Sequence, residues 1–531
     1  MYVALQPLRK IHTYALKGTD PVIYVRLFSL IAIIVLMISC INFINLSISQ
    51  YVTRAKEVAT KKVFGAERGD VIKQYLCESM MLSFIALAFS LLLVYLFLPS
   101  FNTLSGKHLA VNLLRNLNLS LKIIIIAVIT GLISGLYPSL YFSTYQPVEL
   151  FKGSIAKRGK GQLLRRVLIV FQFSSAIILL FSISIIGKQI NFIRMSDLGF
   201  NRNYVITLKM DGDMLSKYDV IKDELLKYKE ILNVAAASNL PLDTETSSGV
   251  YWEGLRPEEA VLMNFVCVDY DYFETFKMTM TKGRSFSRDF PTDGNSYIIN
   301  ETGSKMMGFE DPIGKGLALT NYQLAPIIGV VKDFHGTSLH NDIKPTIFFL
   351  FRYAGKRNLF IRIDDKNITE TIENIKETVH KYSHGSYFGY RFIDEQFNEM
   401  YQQEAIIQQL IKYFTILAIF IACMGLLGLA SFVASQRTKE FAVRKVMGAN
   451  SMRIMVSFSK EFIILVIISN MIAWPIAYFQ MKGWLESFAY RTNIGIFAFI
   501  FSGTVILLIT LVTIISNAYK VSRCNLAESL K

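Results

Sequence analysis

The sequence predicts an α-helical polytopic membrane protein of about seven transmembrane helices, interrupted by one inserted mixed α/β domain that faces water. Three observations predict it: apolar windows long enough to cross a bilayer, lysine and arginine concentrated beside those windows, and a long polar stretch over residues 188–404. The chain has 531 residues, 52% of them hydrophobic, and a formal net charge of +15. A soluble chain of this length splits into several domains with its apolar runs cut short. Here the windows 22–49, 71–98, 119–145, 167–187, 405–435, 454–479 and 494–518 supply the roughly 20 apolar residues that a helical span needs.

Charge fixes the orientation. Segment 50–73 holds Arg54, Lys56, Lys61, Lys62, Arg68 and Lys73. Segment 146–166 holds Lys152, Lys157, Arg158, Lys160, Arg165 and Arg166, and segment 436–453 holds Arg437, Lys439, Arg444, Lys445 and Arg453. The opposite loops, 99–118 and 481–492, hold only Lys107, Arg115, Lys482 and Arg491. Positive loops stay inside, so the first set is cytoplasmic and residues 188–404 lie outside, as does the N-terminus. The basic balance is therefore read as topology and not as a nucleic-acid surface. Residues 1–21 lack the apolar core of a signal peptide and read as the tail of a preceding segment.

Within 188–404, Tyr218–Leu232 and Thr369–Tyr382 have helical periodicity, while 327–331, 346–351, 359–363 and 387–393 read as strands. The edges Lys188–Met195 and Asp394–Gln409 are expected to be helical, continuous with the neighbouring spans, and to form a stalk. Of the five cysteines, Cys40, Cys77, Cys267, Cys423 and Cys524, only Cys267 falls in this domain, which excludes an internal disulfide there.

The chain repeats itself. RAKEVATKKVFGA from Arg54 matches RTKEFAVRKVMGA from Arg437, an offset of 383, and the register extends to Cys40 with Cys423 and Glu78 with Glu461. On a helical wheel Arg54, Glu57, Lys61 and Lys62 share one arc, as do Arg437, Glu440, Arg444 and Lys445; Lys56 and Lys439 add to the positive charge. Ala59, Val63 and Phe64, like Ala442, Val443, Val446 and Met447, form the apolar arc. Glu57–Lys61 and Glu440–Arg444 are favourable i,i+4 pairs, and Gly65 and Gly448 are placed to end the helix. Such a basic amphipathic helix lies at a membrane interface. Val58 and Phe441 break the pattern by sitting on the polar arc, and are expected to be knobs that enter a groove on a cytoplasmic partner; the plainer reading is contact with lipid or a neighbouring span.

Glu78 and Glu461 are carboxylates several residues inside a span, where charge is costly. Two readings stand: an ion pair with a Lys or Arg of the repeated segment (for Glu461, Arg444 or Lys445), or a carboxylate satisfied at the interface. No G-x-x-x-x-G-K-[ST] occurs, since Gly106-Lys107, Gly159-Lys160 and Gly314-Lys315 lack the preceding glycine, so nucleotide must be bound by another chain. His380 and His384 have no recognisable third ligand, and no G-x-S-x-G is present. No catalytic, cofactor-binding or metal-binding residue is expected, and the chain is not expected to be an enzyme.

The R-x-K-E-x-x-x-[KR]-K-x-x-G-A signature resembles that of FtsX/MacB-type permeases of ATP-binding-cassette systems, in their two-repeat, Bacteroidetes-like form. VDYDYFETFKMTMTKGRSFSRDF (268–290), IINETGSKMMGFEDPIGKGL (298–317) and IIGVVKDFHGTSLHNDIKP (327–345) resemble the MacB-like periplasmic core domain. The resemblance implies the following organisation: 1–21 as the tail of a missing first periplasmic domain; 22–145 as a first FtsX-like repeat of three spans with a coupling helix over 51–68; 146–166 as a cytoplasmic linker; 167–187 as a span. It continues with 188–404 as the periplasmic core domain, 405–520 as the second repeat with a coupling helix over 436–450, and 521–531 as a cytoplasmic tail. It further implies an inner-membrane location surrounded by lipid, and a separate cytoplasmic ABC ATPase dimer that binds ATP-Mg and docks on Arg54–Ala66 and Arg437–Ala449. The implied activity is extrusion of an amphipathic lipoprotein, peptide or drug with a periplasmic adaptor and outer-membrane channel. The alternative within the same resemblance is a non-transporting regulator of a periplasmic cell-wall hydrolase.

The topology is directly testable. A cysteine at Lys62 or Lys445 should react with a membrane-impermeant maleimide only in inside-out vesicles, and labelling from the exterior of intact cells would invert the assignment.

Overall fold

In the computed structural model the described residues are 21–49, 57, 58, 60–106, 108–112, 115–143, 160–255, 259–319, 323–350, 357–383, 388–436, 440, 443, 444, 447 and 450–522. The expected leading and trailing tails, 1–20 and 523–531, and most of the 146–166 linker lie outside them, as does His384. Among the described residues seven helices are long and apolar enough to cross a membrane. In chain order they are Pro21–Ser49, Arg68–Ser105, Leu117–Ser143, Lys160–Met195, Gln402–Gln436, Ser451–Leu485 and Ile496–Ser522. The chain divides into two compact units: residues 1–188, 406–484 and 493–531 form the first, and 189–405 with 485–492 form the second.

Helices that are apolar all round belong in a core or a bilayer, and only a bilayer suits the second long helix, none of whose most apolar stretch is buried in the protein. Pro99, Pro138 and Pro475 sit inside long helices, a placement that membrane helices tolerate better than soluble ones. The fourth long helix is the opposite case, with 72% of its apolar window buried. Its Ile169, Phe173 and Ile177 pack with Leu426 and Leu429 of the fifth helix and with Phe458, Phe462 and Leu465 of the sixth. The first and fifth helices meet closely. Asn42 Nδ2 donates to the carbonyl of Ile421 at 3.2 Å, and a Cβ on Gly425 would lie 2.6 Å from Asn42 Oδ1. Glycine is what permits that approach.

Among the described residues the second unit has eleven strands: β1 Val205–Lys209, β2 Ile231–Ala237, β3 Ser247–Trp252, β4 Val261–Val268, β5 Met280–Gly283, β6 Tyr297–Asn300, β7 Gly316–Leu319, β8 Ala325–Val331, β9 Thr346–Leu350, β10 Asn358–Ile363 and β11 Tyr390–Phe392. β4, β3, β7, β8, β6 and β9 pair in that order and β9 returns to β4, so the six strands close into a ring. Val250, Met263, Ile299, Leu317, Ile327 and Ile347 belong to its core. A four-stranded antiparallel sheet, β11-β1-β10-β2, joins the ring through the single pair Ala237 and Val268. Ile206, Leu208, Val234, Leu359 and Ile361 of this sheet pack with Tyr218, Ile221 and Leu225 and with Ile375 and Val379 of helices Tyr218–Leu225 and Ile368–Tyr382.

Three sequence expectations need correction here. The helix expected over 218–232 ends at Leu225, and Ile231 onward is β2, because pairing with β10 on one side and β4 on the other outweighs local helical periodicity. Of the strand expected over 387–393, the described residues form only Tyr390–Phe392, and Ile393 already starts a short helix that runs to Met400. The expected continuous helical edge over 394–409 is interrupted at Tyr401, whose backbone (φ −112°) leaves the helical range and whose hydroxyl accepts from Leu339 N at 2.8 Å. By contrast the fourth long helix runs unbroken through 188–195.

A buried ion cluster ties this unit together. Lys222, 5% exposed, pairs with Asp269 at 2.8 Å and with Asp271, and Arg288 reaches Asp271 at 2.9 Å. A buried charge is tolerated only with this many partners. Burial pushes the Asp271 carboxyl up, but hydrogen bonds from Arg288 and Lys222 outweigh it and hold the group below the usual carboxylate range. Asp293 follows the same balance, with burial opposed by a two-pronged Arg284 contact at 2.6 and 2.7 Å. A carboxyl depressed in the folded state contributes stability above its unfolded pKa and loses it as pH falls through the folded value. The full chain in detergent should therefore keep its thermal stability from about pH 7 to 5 and lose it below about pH 4. The Asp271→Asn chain should lose less over that acid window than the parent.

Candidate functional site

The first basic segment is helical at 57, 58 and 60–63 and turns at Phe64 and Gly65. Gly65 takes φ 97°, a left-handed value that suits glycine. Ala66 N donates to Lys61 O at 3.0 Å and Gly65 N to Lys62 O at 3.1 Å, the paired closure that glycine-ended helices use. Glu57 and Lys61 form the i,i+4 ion pair at 2.7 Å, and Lys61 also reaches Gln74 at 3.0 Å. In the second copy Glu440 and Arg444 pair at 2.6 Å, and Met447 N donates to Val443 O. Arg54, Lys56, Arg437, Lys439, Phe441, Lys445 and Gly448 lie outside the described residues.

Lys62 is engaged as an anchor. Its ammonium donates to the Ser143 carbonyl at 2.8 Å, at the end of the third long helix, and Arg68 Nε reaches Ser143 Oγ at 3.3 Å. A cation at a helix C-terminus also meets the negative end of the helix dipole. Partial burial, together with the nearby Arg68 charge, holds the Lys62 ammonium below the usual lysine pKa.

That anchor overturns the expectation for Val58. Val58 is 4% exposed and faces inward. Val58 and Lys62 are four residues apart and share a helix face, so fastening Lys62 to Ser143 turns Val58 in with it. Of the exposed apolar residues here, which include Val63 and Val443, the most exposed are Phe64, at 86%, and its counterpart at the same offset, Met447, at 82%. A wheel that sorts residues by polarity puts both on the packing face. The overlooked sign was positional: each copy carries one large, unbranched or aromatic apolar residue immediately before its closing glycine.

For Glu461 the structure shows a partner outside the repeated segment; of the two expected partners, Lys445 lies outside the described residues. Glu461 pairs with Arg166 of the fourth long helix, Nη2 to Oε1 at 2.6 Å, while Arg444 turns to Glu440. The wheel treated the segment alone and had no means of seeing a helix 295 residues away in sequence. Glu78 lines a cavity among the first three long helices. A double-mutant cycle on Arg166→Gln and Glu461→Gln should give a coupling of up to about 1 kcal/mol in unfolding free energy, as half-exposed ion pairs do. The cycle on Arg444→Gln and Glu461→Gln should give none.

Comparison with known proteins agrees with this organisation. The FtsX-like permease C-terminal family matches residues 29–147 and again 412–526. The MacB-like periplasmic core domain matches residues 174–378. The macrolide export ATP-binding/permease protein MacB of Acinetobacter baylyi is 23% identical over 217 residues, which cover 39% of this chain and 32% of that protein. The MacB of Chromobacterium violaceum is 22% identical over 262 residues, covering 45% and 40%. The chain thus spans roughly a third of the length of these relatives. Among solved structures, the periplasmic region of MacB from Actinobacillus actinomycetemcomitans aligns with 39% of this chain and 97% of its own, at 16% identity and a TM-score of 0.29. The extracellular domain of YknZ from Gram-positive bacteria aligns with 35% and 97%, at 16% identity and a TM-score of 0.27. With an FtsX-like region on either side of a MacB-like core domain, the chain belongs to the FtsX/MacB-type permeases.

Proposed function

We propose that this chain is the membrane-spanning partner of a separate ATPase in an ATP-binding-cassette machine of the inner membrane, and that it extrudes an amphipathic molecule. On this reading the two basic segments, 54–66 and 437–449, each receive one ATPase of a cytoplasmic dimer that binds ATP-Mg. The single observation that supports it most is the matched exposure of Phe64 and Met447. One exposed apolar side chain is ordinary. Two at equivalent repeat positions, each close in sequence to basic residues and directly before a glycine, are what a partner of matching two-fold symmetry reads.

The chemistry stays with the ATPase, and this chain converts its motion. Approach of the two ATPases on nucleotide binding displaces the two segments, and a state that binds nucleotide better is thereby favoured across the whole machine. The fourth long helix, 36 residues without a break, is roughly 54 Å of stiff rod by helix geometry, suited to carry that displacement along its length. The outer domain, 188–404, then acts on the cargo, with an adaptor and an outer-membrane channel beyond it. The relatives are macrolide exporters by name, which supports efflux of a drug, peptide or lipoprotein as the direction of work.

Replacing Phe64 and Met447 together by Glu should lower ATPase co-purification at least thirtyfold, the loss of about 2 kcal/mol expected of a hot spot. Either change alone should have a smaller effect. Unchanged association of the double variant would remove these residues from the docking surface and the reading with them.

A further inference from the structure

A pocket of about 400 Å3 lies in the second unit. Two stretches of chain line it: 196–203, directly after the fourth long helix, and Lys277, Thr279 and Lys332. Pairing of β5 with β8 brings the second group together, with Met280 opposite Val331 and Lys332 N donating to Thr279 O at 2.8 Å. The first stretch is pinned by Arg362 of β10, which is 5% exposed. Its guanidinium donates to the carbonyls of Asn201 at 2.7 Å, Asn203 at 3.0 Å and Thr275 at 2.5 Å. Gly199, at φ 78°, permits close approach to the chain just past β8, since a Cβ there would fall 2.4 Å from Asp333 O.

The lining is cationic. Among the described residues, Arg202, Lys277 and Lys332 are set against one carboxylate, Asp197. Lys332 and Asp197 make an exposed contact at 3.3 Å, a kind that contributes little and yields to a competitor. The Lys277 ammonium makes no ion pair among the described residues. Its backbone takes φ 50°, a left-handed value that a residue with a Cβ adopts at a cost. Arg202 lies over the Phe397 ring at 3.7 Å and donates to Arg194 O at 2.9 Å. Its Nη1 has no hydrogen-bond partner among the described residues. Burial holds Arg202 and Arg362 below the usual guanidinium pKa; Asp394 offsets part of this at Arg202, and no carboxylate does so at Arg362.

We infer that this pocket is a binding site for a phosphate group, carried on a lipid headgroup or free in solution. A guanidinium and two ammonium groups offer a phosphate strong, charge-assisted donors. Asn201, Asn203 and Thr279 add neutral donors to the lining. Asn201 Oδ1 already accepts from Asn203 N at 3.0 Å, which leaves its amide Nδ2 to donate. A carboxylate, with two oxygens, would satisfy fewer of these groups. The strained turn at Lys277 gains a reason: glycine or asparagine would fit it with less strain, but neither supplies a cation. A seated phosphate would join the segment leaving the fourth long helix to the ends of β5 and β8, in place of the weak Lys332–Asp197 contact. The candidate span of that helix ends at Met195, one residue before the lining begins, so the site starts where a span gives way to headgroups.

Two binding measurements on the full chain test the inference. In detergent, inorganic phosphate is titrated by calorimetry; in phosphatidylcholine nanodiscs, retention of added phosphatidylglycerol is counted by native mass spectrometry. Lys277→Gly with Lys332→Gln removes two cations and leaves the Arg362 and Gly199 ties in place. Because Lys277→Gly also relieves the left-handed strain, the double variant should melt no lower than the parent. It should bind at least tenfold more weakly in whichever arm the parent binds. Lys277→Gly alone, which keeps the Lys332–Asp197 contact, should bind at least threefold more weakly. Lys229→Ala, at an exposed lysine outside the pocket, should stay within twofold of the parent. Phosphate binding that the variants lose supports the site with a free anion as ligand. Phosphatidylglycerol retention that they lose, without phosphate binding, supports it with a headgroup. No binding in either arm, or binding equal in parent and variants, would overturn it. Neither readout involves an ATPase, so failure of docking at Phe64 and Met447 leaves this result standing.

Discussion

The approach of the first and fifth long helices at Asn42 and Gly425 holds the two repeats in one unit, and the rest of the membrane arrangement depends on it. Lipid offers no hydrophobic drive for helices to associate, so close packing and interhelical hydrogen bonds must do it. Gly425 lets the Asn42 amide come against the fifth helix, and Asn42 Nδ2 finds the Ile421 carbonyl. Gly428 gives Leu46 the same access one turn on, with a Cβ there falling 2.3 Å from Leu46 Cδ2. Asn42 and Gly425 are themselves counterparts in the repeat. The two halves therefore touch at corresponding points, with unlike residues supplying reach on one side and room on the other.

The outer domain solves a different problem. Its six-stranded ring leaves no open edge among its own members, and unpaired edges are where sheets join unwanted partners. The second sheet hangs from it by one residue pair, yet aromatic packing bridges the join, with Tyr272 against Phe276, Phe348 and Phe360. The Lys222 cluster adds a fixed polar point beside them, since Asp269 and Asp271 flank the end of β4 and Lys222 comes from the helix over the other sheet. The polar cluster and the aromatic packing thus brace the two sheets against each other.

Much of this was legible in the sequence. Span length, charge asymmetry and the repeat identified all seven long helices, because each depends on local composition or on self-comparison. Gly65 was readable as a helix end because its role is a backbone one. The missed elements are those fixed by distant partners. The helical pattern of 218–232 runs on into Ile231 and Leu232, which belong instead to β2, flanked by β10 and β4. Closure of the ring through β4 and β9 joins residues about eighty apart and leaves no mark on either strand alone. Val58 turned inward because Lys62 is tied to Ser143, and Glu461 found Arg166, a residue in a helix that no wheel of the repeated segment contains.

The tie between Lys62, Arg68 and Ser143 also bears on how the first repeat handles load. Lys62 lies two residues before Phe64, and its ammonium ends on the Ser143 carbonyl, the last residue of the third long helix. On the proposed docking, a displacement delivered at Phe64 would meet a crank with its pin already seated, and the third helix would follow. In the second repeat the ion pair of Arg166 and Glu461 joins the fourth and sixth long helices. On the proposed docking, the first of these ties would load a helix end and the second a helix pair.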